Sequence, residues 1–138
     1  MQLKDIMSKS LISIAEDHMV AEAIDIMHKN RISCIIASSK SKPTGILTER
    51  DLVKIFATYR DLEAVAVSKV MSSPIISLEA DTELSDAIDF MNKKGIRHVL
   101  VKDAKRMGLV TQTNIVKSLS QQLSEDVKLG EYEKQLRG

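Results

Sequence analysis

GILTERDLVK, residues 45–54, returns later in the chain as GLVTQTNIVK at residues 108–117. Each copy starts with aliphatic residues and continues with apolar residues at helical spacing, so it predicts a short strand that turns into a helix. A shift of 64 residues, which places Met71 on Met7, also aligns MSKSLISIAEDHMVAEAIDIMHKNRISCIIA with MSSPIISLEADTELSDAIDFMNKKGIRHVLV without a gap. Self-similarity of this kind indicates a duplicated structural unit, and two copies of that unit fill most of the chain.

Each unit carries the same succession of local signals. A short β-branched segment, residues 11–14 or 75–78, predicts a strand, and Asp17 or Asp81 stands where a helix N-cap is expected. The apolar residues that follow recur at i, i+3, i+4 and i+7 and predict an amphipathic helix. A short apolar run then predicts a strand covered on both faces, before the strand and helix of the quoted stretch. The unit is therefore predicted as β-α-β-β-α, an α/β fold.

These signals divide the chain into a first repeat at residues 1–60, a second repeat at residues 61–124 and a C-terminal tail at residues 125–138. The connector between the repeats has no Gly or Pro and contains several apolar residues. The two repeats are therefore expected to form one globular module rather than two independent beads. The last helix is predicted to stop at Gly130.

The composition argues against several classes of protein. Lys and Arg number 20 and Asp and Glu number 19, so no bulk positive charge draws the chain to nucleic acid or to an anionic membrane. Cys34 is the sole cysteine, which excludes an intrachain disulfide framework and a multi-cysteine zinc site, and no metal site is expected. The N-terminal residues lack a long apolar core, so neither a signal peptide nor a membrane span is predicted and a cytoplasmic location is expected.

A polar pair stands at the turn of each quoted stretch. Thr48 is followed three positions later by Asp51, and Thr111 is followed by Asn114. This spacing is close to that of a capping box, while the free amides of a helix N-terminus also attract anions. The residues alone leave two interpretations open for each pair: a helix cap, or a contact to a phosphate or sugar.

The ordered motifs resemble those of the cystathionine-beta-synthase (CBS) domain, and the tandem pair resembles a stand-alone Bateman module. The likeness rests on the Met-Ser starts, the A-I-x-x-M helices, the segment IRHVLVKD and the two Gly-x-x-Thr-x-x-Asp/Asn-x-x-Lys stretches. It implies two repeats packed through their sheets with pseudo-two-fold symmetry. It also implies a homodimer and a cleft between the repeats for an adenosine-containing ligand, such as AMP, ADP, ATP or S-adenosylmethionine.

The resemblance also nominates ligand contacts by position. The threonine of each motif would meet phosphate or ribose and the polar residue after it would bind the ribose hydroxyls, which assigns Thr48 with Asp51 and Thr111 with Asn114. Residues leading into the first strand of each repeat would frame the base: Ser10, Leu11, Ile12, Pro74, Ile75 and Ile76.

Two departures from the family pattern predict unequal sites. Asn114 stands where the family usually has Asp, and an amide is a poorer acceptor for a diol than a carboxylate. Basic residues often precede the second strand in phosphate-binding members; here they are Arg97 and His98 in the second repeat, replaced by Ser33 and Cys34 in the first. The sequence does not decide which cleft Arg97 and His98 serve. One principal site is expected, in the first repeat.

The expected function is that of a non-catalytic regulatory or sensor module that acts in trans on an unknown effector protein. One alternative is a ligand-independent assembly protein whose repeats supply a dimer surface. Another is an enzyme that uses Cys34 and His98, which occupy the same position in the two copies and form a possible nucleophile pair. A cysteine beside Ile35 and Ile36 is more typical of a small core residue, so no catalytic residue is assigned.

Overall fold

The structure is a computed structural model that describes the backbone of residues 1–104 and 106–137, and the side chains of those residues up to 127. Lys105, which the sequence places in a solvated loop, lies outside the described residues. Within them the chain is a mixed α/β protein with two three-stranded sheets, as predicted. No helix in this described part combines the length and the apolar character needed to cross a membrane.

The first of two compact units, here named the first-repeat unit, comprises Ser10–Ile76. Its elements are β1 Ser13–Ala15, α1 Val20–Asn30, β2 Cys34–Ser39, β3 Lys42–Thr48, α2 Glu49–Thr58 and the short α3 Val67–Val70. β1 pairs in parallel with β2, and β2 pairs antiparallel with β3. The predicted β-α-β-β-α order is confirmed, although β1 starts two residues later than expected.

The other unit, the second-repeat unit, comprises Met1–Lys9 together with Ser77–Gly138. Its elements are a 3-10 helix Leu3–Asp5, β4 Ser77–Glu79, α4 Leu84–Lys94, β5 His98–Lys102, β6 Met107–Thr111 and α5 Gln112–Arg137. As in the first unit, the first two strands are parallel and the last two antiparallel: β4 pairs in parallel with β5, and β5 pairs antiparallel with β6. The predicted stop at Gly130 is wrong, because α5 continues through it and a helix interior tolerates a glycine for about 1 kcal/mol. The predicted tail therefore belongs to α5 as far as Arg137, and Gly138 lies outside the described residues.

The N-caps predicted for the two amphipathic helices are wrong. Asp17 and Asp81 lie in turns, and neither α1 nor α4 has a side-chain cap. Instead the first amide of α1 donates to the Val65 carbonyl and the first amide of α4 donates to the Met1 carbonyl, each at 2.8 Å. Backbone carbonyls from a neighbouring segment satisfy these helix ends, which removes the need for a capping side chain.

The segment that precedes each repeat completes the unit of the other repeat. Leu3 is fully buried in the second-repeat unit, where its amide donates to the Thr82 carbonyl at 3.0 Å. Val67 is fully buried in the first-repeat unit, where its amide donates to the His18 carbonyl at 2.8 Å. The same 64-residue shift relates the two pairs. The compact units divide the chain after Lys9 and after Ile76, and the repeat bounds 1–60 and 61–124 stay a prediction.

Candidate functional site

The first polar pair, Thr48 and Asp51, forms a complete capping box at the start of α2. The Thr48 backbone N–H and hydroxyl both donate to Asp51 Oδ2 at 3.0 Å, and the Asp51 N–H donates to Thr48 Oγ1 at 3.2 Å. The second carboxylate oxygen, Oδ1, accepts a long hydrogen bond of 3.4 Å from the exposed Ser72 hydroxyl. The capping role is confirmed, and the weakly engaged Oδ1 keeps acceptor capacity for a further donor.

The second pair reproduces this geometry with an amide. The Thr111 N–H and hydroxyl donate to Asn114 Oδ1 at 2.9 and 3.0 Å, and the Asn114 N–H donates to Thr111 Oγ1 at 3.1 Å. The cap uses the single amide oxygen of Asn114, and the other terminal atom of that side chain, Nδ2, is a donor. The two caps are thus alike in shape, but Asp51 offers an acceptor where Asn114 offers a donor.

Arg97 and His98 lie beside the Thr111 cap in the second-repeat unit. His98 on β5 is the register partner of Thr111 on β6, and the Gln112 N–H, the first of α5, donates to the Arg97 carbonyl at 2.9 Å. Arg97 is exposed and His98 is half-buried. Within their own unit these basic residues therefore flank the start of α5.

Uncharged residues hold the equivalent positions beside the Thr48 cap. Cys34 on β2 is the register partner of Thr48, and the Glu49 N–H donates to the Ser33 carbonyl at 2.9 Å. The first turn of α2 carries two acids, Glu49 and Asp51, and one basic residue, Arg50, whereas the first turn of α5 carries no acid. The two helix starts share a backbone arrangement but differ in charge.

Cys34 lacks the properties of a catalytic nucleophile. Burial, with a smaller contribution from the charge of Glu49, raises the pKa of the Cys34 thiol to about 11. A thiol with such a pKa is protonated at neutral pH and therefore a poor nucleophile. Among the described residues no group of His, Cys, Asp and Glu side chains has an arrangement that could hold a metal ion.

Leu11, one of the predicted base contacts, lines a surface depression of about 690 Å³ in the first-repeat unit. This volume is within the usual range for small-molecule sites. The lining combines apolar and polar residues, among them Leu11, Ser13, Ala15, Glu16, Ile36 and Lys40. Sequence reasoning did not assign Glu16 or Lys40 to a site. Lys40 lies in the turn between β2 and β3, and only the parallel pairing of β1 with β2 brings that turn near Glu16, whose N–H donates to the Ser38 carbonyl at 2.8 Å.

The other predicted base contacts have simpler surroundings. Ser10 is exposed, and the Ile12 carbonyl accepts the Ile36 N–H at 3.0 Å. Pro74 is exposed, while Ile75 and Ile76 are half-buried. Contact of these residues with a base stays a prediction.

Comparison with known proteins identifies the repeat. The CBS domain matches residues 3–58 and 67–121. An uncharacterized protein of Methanopyrus kandleri is 37% identical over 101 residues, which cover 68% of this chain and 52% of that protein. An uncharacterized 17.7 kDa protein of Acidianus ambivalens is 33% identical over 103 residues, which cover 72% of this chain and 62% of that protein. The chain therefore spans only about half to three fifths of these curated relatives.

A solved structure shares the fold over nearly its whole length. The CBS domain pair of protein MJ0100, in complex with 5-methylthioadenosine and S-adenosyl-L-methionine, is 26% identical with a TM-score of 0.77. The match covers 88% of this chain and 98% of that one. With both repeats matched in sequence and the tandem matched in structure, this chain belongs to the CBS domain family.

Proposed function

We propose that this chain is a non-catalytic regulatory module that binds an adenosine-containing ligand at the Thr48 cap and signals in trans to an effector protein. The observation that carries the proposal is the likeness to the MJ0100 domain pair, which was solved with two adenosine-containing molecules. The raised pKa of the Cys34 thiol supports a non-catalytic role. A ligand shifts the equilibrium between two conformations only if it binds one of them more tightly, so signalling requires such a difference here.

The chemistry of the Thr48 cap suits a ribose. Asp51 Oδ1, with its long 3.4 Å hydrogen bond from Ser72, is an acceptor for the vicinal hydroxyls of ribose. Leu11, in the wall of the 690 Å³ depression, supplies apolar surface for a base, although neither Thr48 nor Asp51 lines that depression. The remaining base contacts proposed are Ser10, Ile12, Pro74, Ile75 and Ile76.

The charges around the two caps suit different parts of a ligand. The first turn of α2 holds Glu49 and Asp51 with the single basic residue Arg50, and this net negative charge disfavours a phosphate there. Thr111 and Asn114 have no acid near them in the first turn of α5, and Arg97 stands next to that turn. We therefore expect the Thr48 cap to prefer neutral or cationic ligands, such as S-adenosylmethionine, over ATP. The second cap, with Arg97 and His98, is the better candidate for AMP, ADP or ATP phosphates.

Asp51→Asn is the decisive variant, because the second unit already shows that Asn forms the same capping box. The variant removes the carboxylate acceptor and keeps the fold. We expect calorimetric affinity for the preferred adenosine compound to fall by about 10- to 100-fold, since a hydrogen bond to a charged group contributes about 1.5–3 kcal/mol. AMP, ADP, ATP, 5-methylthioadenosine and S-adenosylmethionine form the ligand panel.

Asn114→Asp is the matched control, since it gives the second cap the same carboxylate. We expect it to leave binding at the first cap unchanged. Wild-type protein that gives no heat with any compound of the panel at millimolar concentration would rule out the ligand proposal. Unchanged affinity in Asp51→Asn would leave Asp51 with a capping role alone.

A second candidate is the ligand-independent assembly protein, in which homodimers form with empty sites. Exposed apolar side chains on α2 and α5 favour it, among them Val53 and Phe56, with 69% and 57% of their surface exposed. Calorimetry and thermal unfolding with the ligand panel separate the two candidates. The assembly function predicts no binding heat and no ligand-dependent thermal shift, whereas the regulatory function predicts both.

A further inference from the structure

The surface depression of about 690 Å³ in the first-repeat unit contains a pair of small residues. Ala15 on β1 and Ser38 on β2 are register partners, and both line the depression. The corresponding register partners in the second-repeat unit are Glu79 and Lys102, which are long, charged and exposed. The two small side chains therefore leave a space on the first sheet at the place where the second sheet carries two long side chains.

The lining of the depression carries charges of both signs. Glu16 and Asp17, which follow β1, contribute carboxylates, and Lys40, in the turn between β2 and β3, contributes an ammonium group. Within the described residues no ion pair joins Lys40 to either acid. Glu16 is half-buried, and its Oε2 accepts a hydrogen bond of 2.7 Å from the Thr44 hydroxyl, which leaves Oε1 for a further donor. Unpaired groups of opposite charge in one lining suit a ligand that carries both charges.

The orientation of Glu16 depends on a feature that the second repeat lacks. The pairing of β2 with β3 skips Thr44, which is the extra residue of a β-bulge. Bulges re-aim side chains and are over-represented beside functional sites, and here the hydroxyl of the skipped residue contacts Glu16. The second repeat has Met107 in place of Thr44 and Ala80 in place of Glu16. The carboxylate and the hydroxyl that orients it are thus particular to the first-repeat unit.

We propose that this depression is a binding site for a free α-amino acid with an apolar side chain. The ammonium group of the ligand meets the carboxylates of Glu16 and Asp17, and the carboxylate of the ligand meets Lys40. The side chain of the ligand packs on Leu11 and Ile36, which are apolar residues of the lining. Hydrogen bonds between charged groups are stronger than those between neutral groups, so both ends of the zwitterion contribute to affinity.

The site is separate from the Thr48 cap, so the inference does not rest on the proposed adenosine ligand. Thr48 pairs with Cys34 at the start of β2. Ser38 stands four residues further along that strand, which corresponds to about 13 Å. Among the predicted base contacts only Leu11 also lines the depression.

The first test is calorimetry of the full chain with leucine and with two analogues that each lack one charge. N-acetyl-leucine lacks the ammonium group, and leucinamide lacks the carboxylate. Leucine is expected to bind with a Kd of about 1 mM or lower. Each analogue is expected to bind about tenfold more weakly or worse, the change that corresponds to the loss of one hydrogen bond to a charged group.

Two results of this titration would overturn the inference. One is the absence of binding heat from leucine, isoleucine, valine, methionine and phenylalanine at about 10 mM. The other is equal affinity for leucine and for both analogues, since the ligand would then not be read as a zwitterion. The titration contains no nucleotide, so failure of the adenosine compounds to bind bears on the proposed function alone.

The second test removes the charges of the protein one at a time. Glu16→Gln removes the carboxylate and keeps an acceptor for the Thr44 hydroxyl. Lys40→Asn removes the ammonium group, and Asn is favoured at the left-handed conformation of this position, where φ is 50°. Each variant is expected to weaken leucine binding by about tenfold or more. The matched control is Lys42→Gln, an exposed lysine of the same hairpin that does not line the depression, and it should leave the affinity unchanged.

The third test fills the depression with the residues of the second repeat. Ala15→Glu combined with Ser38→Lys reproduces the register pair that the second sheet already accommodates. This double variant should keep the circular dichroism melt of a folded protein and lose the binding heat of leucine. Leucine binding that survives the double variant, or that is lost in Lys42→Gln, overturns the assignment of the site to this depression.

Discussion

Alanine in place of Gly45 should destabilise the protein more than alanine in place of Gly108, although the two glycines hold the same position in the repeat. A Cβ on Gly45 would lie 2.6 Å from Met71 Sδ and 2.8 Å from the Ser72 carbonyl oxygen. A Cβ on Gly108 would lie closest of all to Met7 Sδ, with Met7 Cγ at 2.8 Å and Met7 Cβ at 3.1 Å. The first clash includes a backbone atom, whereas the second involves a flexible side chain.

The expected loss of unfolding free energy for Gly45→Ala follows from the displacement of the Ser72 backbone. The Ser72 carbonyl accepts the Ile46 N–H at 3.0 Å, and the Ser72 N–H donates to the Ile46 carbonyl at 2.9 Å. Displacing Ser72 strains these two hydrogen bonds, each with a net value of about 1 kcal/mol, and overpacking adds about 1–3 kcal/mol. The lower entropy of the unfolded alanine chain offsets about 0.4–1 kcal/mol. If both hydrogen bonds are lost, the net loss expected for Gly45→Ala is about 2–4.5 kcal/mol.

Gly108→Ala should have a smaller effect because Met7 has three rotatable bonds and a soft thioether. We expect a loss of about 0–2.5 kcal/mol after the entropy offset, because the hydrogen-bond contribution expected for Gly45→Ala is absent. Urea unfolding followed by circular dichroism measures both values at constant pH. In a Met7→Ala background, Gly108→Ala should become neutral or stabilising. In a Met71→Ala background, Gly45→Ala should still destabilise, because the Ser72 carbonyl remains in place.

Two results would refute this reasoning. Equal losses for the two glycine variants would mean that the Ser72 backbone yields as easily as the Met7 side chain. A coupling energy near zero between Gly108→Ala and Met7→Ala would mean that the close approach does not control the effect.

Two further predictions concern buried groups. Leu3→Ala should lower the free energy of unfolding by about 2–5 kcal/mol, because Leu3 is fully buried in the core of the second-repeat unit. Urea unfolding measures the loss, and a value below about 0.5 kcal/mol, as for a surface substitution, would contradict that placement. The raised pKa of the Cys34 thiol, about 11 against 9.0 for the unperturbed group, means that the unfolded chain ionises first as the pH rises. Stability should therefore be lost between about pH 9 and pH 11, and an unfolding series over that range should show a smaller loss for Cys34→Ser.

Local patterns predicted the elements well wherever side chains of one segment decide the structure. The i, i+3, i+4, i+7 spacing predicted α1 and α4 because one face of each helix is buried in its own unit. The Asp17 and Asp81 caps failed because carbonyls from distant segments satisfy those helix ends. The placement of Leu3 in the second-repeat unit could not be predicted for the same reason, because its backbone partner Thr82 is distant in sequence. A repeat in the sequence reports similarity between segments, and it carries no information on which copy each segment joins.

The same distinction between features set within one segment and features set by distant segments applies to the candidate site. The Thr48 and Thr111 caps were predicted because a capping box is formed within four residues, and the hydrogen bonds confirm both. The neighbourhood of Arg97 and His98 could not be predicted, because it depends on the register between β5 and β6. Their contact with a ligand stays a prediction.

The duplication supplies an internal control for the function of this chain. The two caps have the same hydrogen-bond geometry to within 0.1 Å, with Asp51 N–H at 3.2 Å from Thr48 Oγ1 and Asn114 N–H at 3.1 Å from Thr111 Oγ1. Backbone geometry therefore does not distinguish the two caps, so a difference in ligand preference has to come from the side chains around them. Glu49, Arg50 and Asp51 give the start of α2 a net negative charge, whereas the first turn of α5 carries no acid and the backbone of Arg97 lies beside it. Exchanging Asp51 and Asn114 should consequently move ribose affinity from the first cap to the second while both caps stay folded.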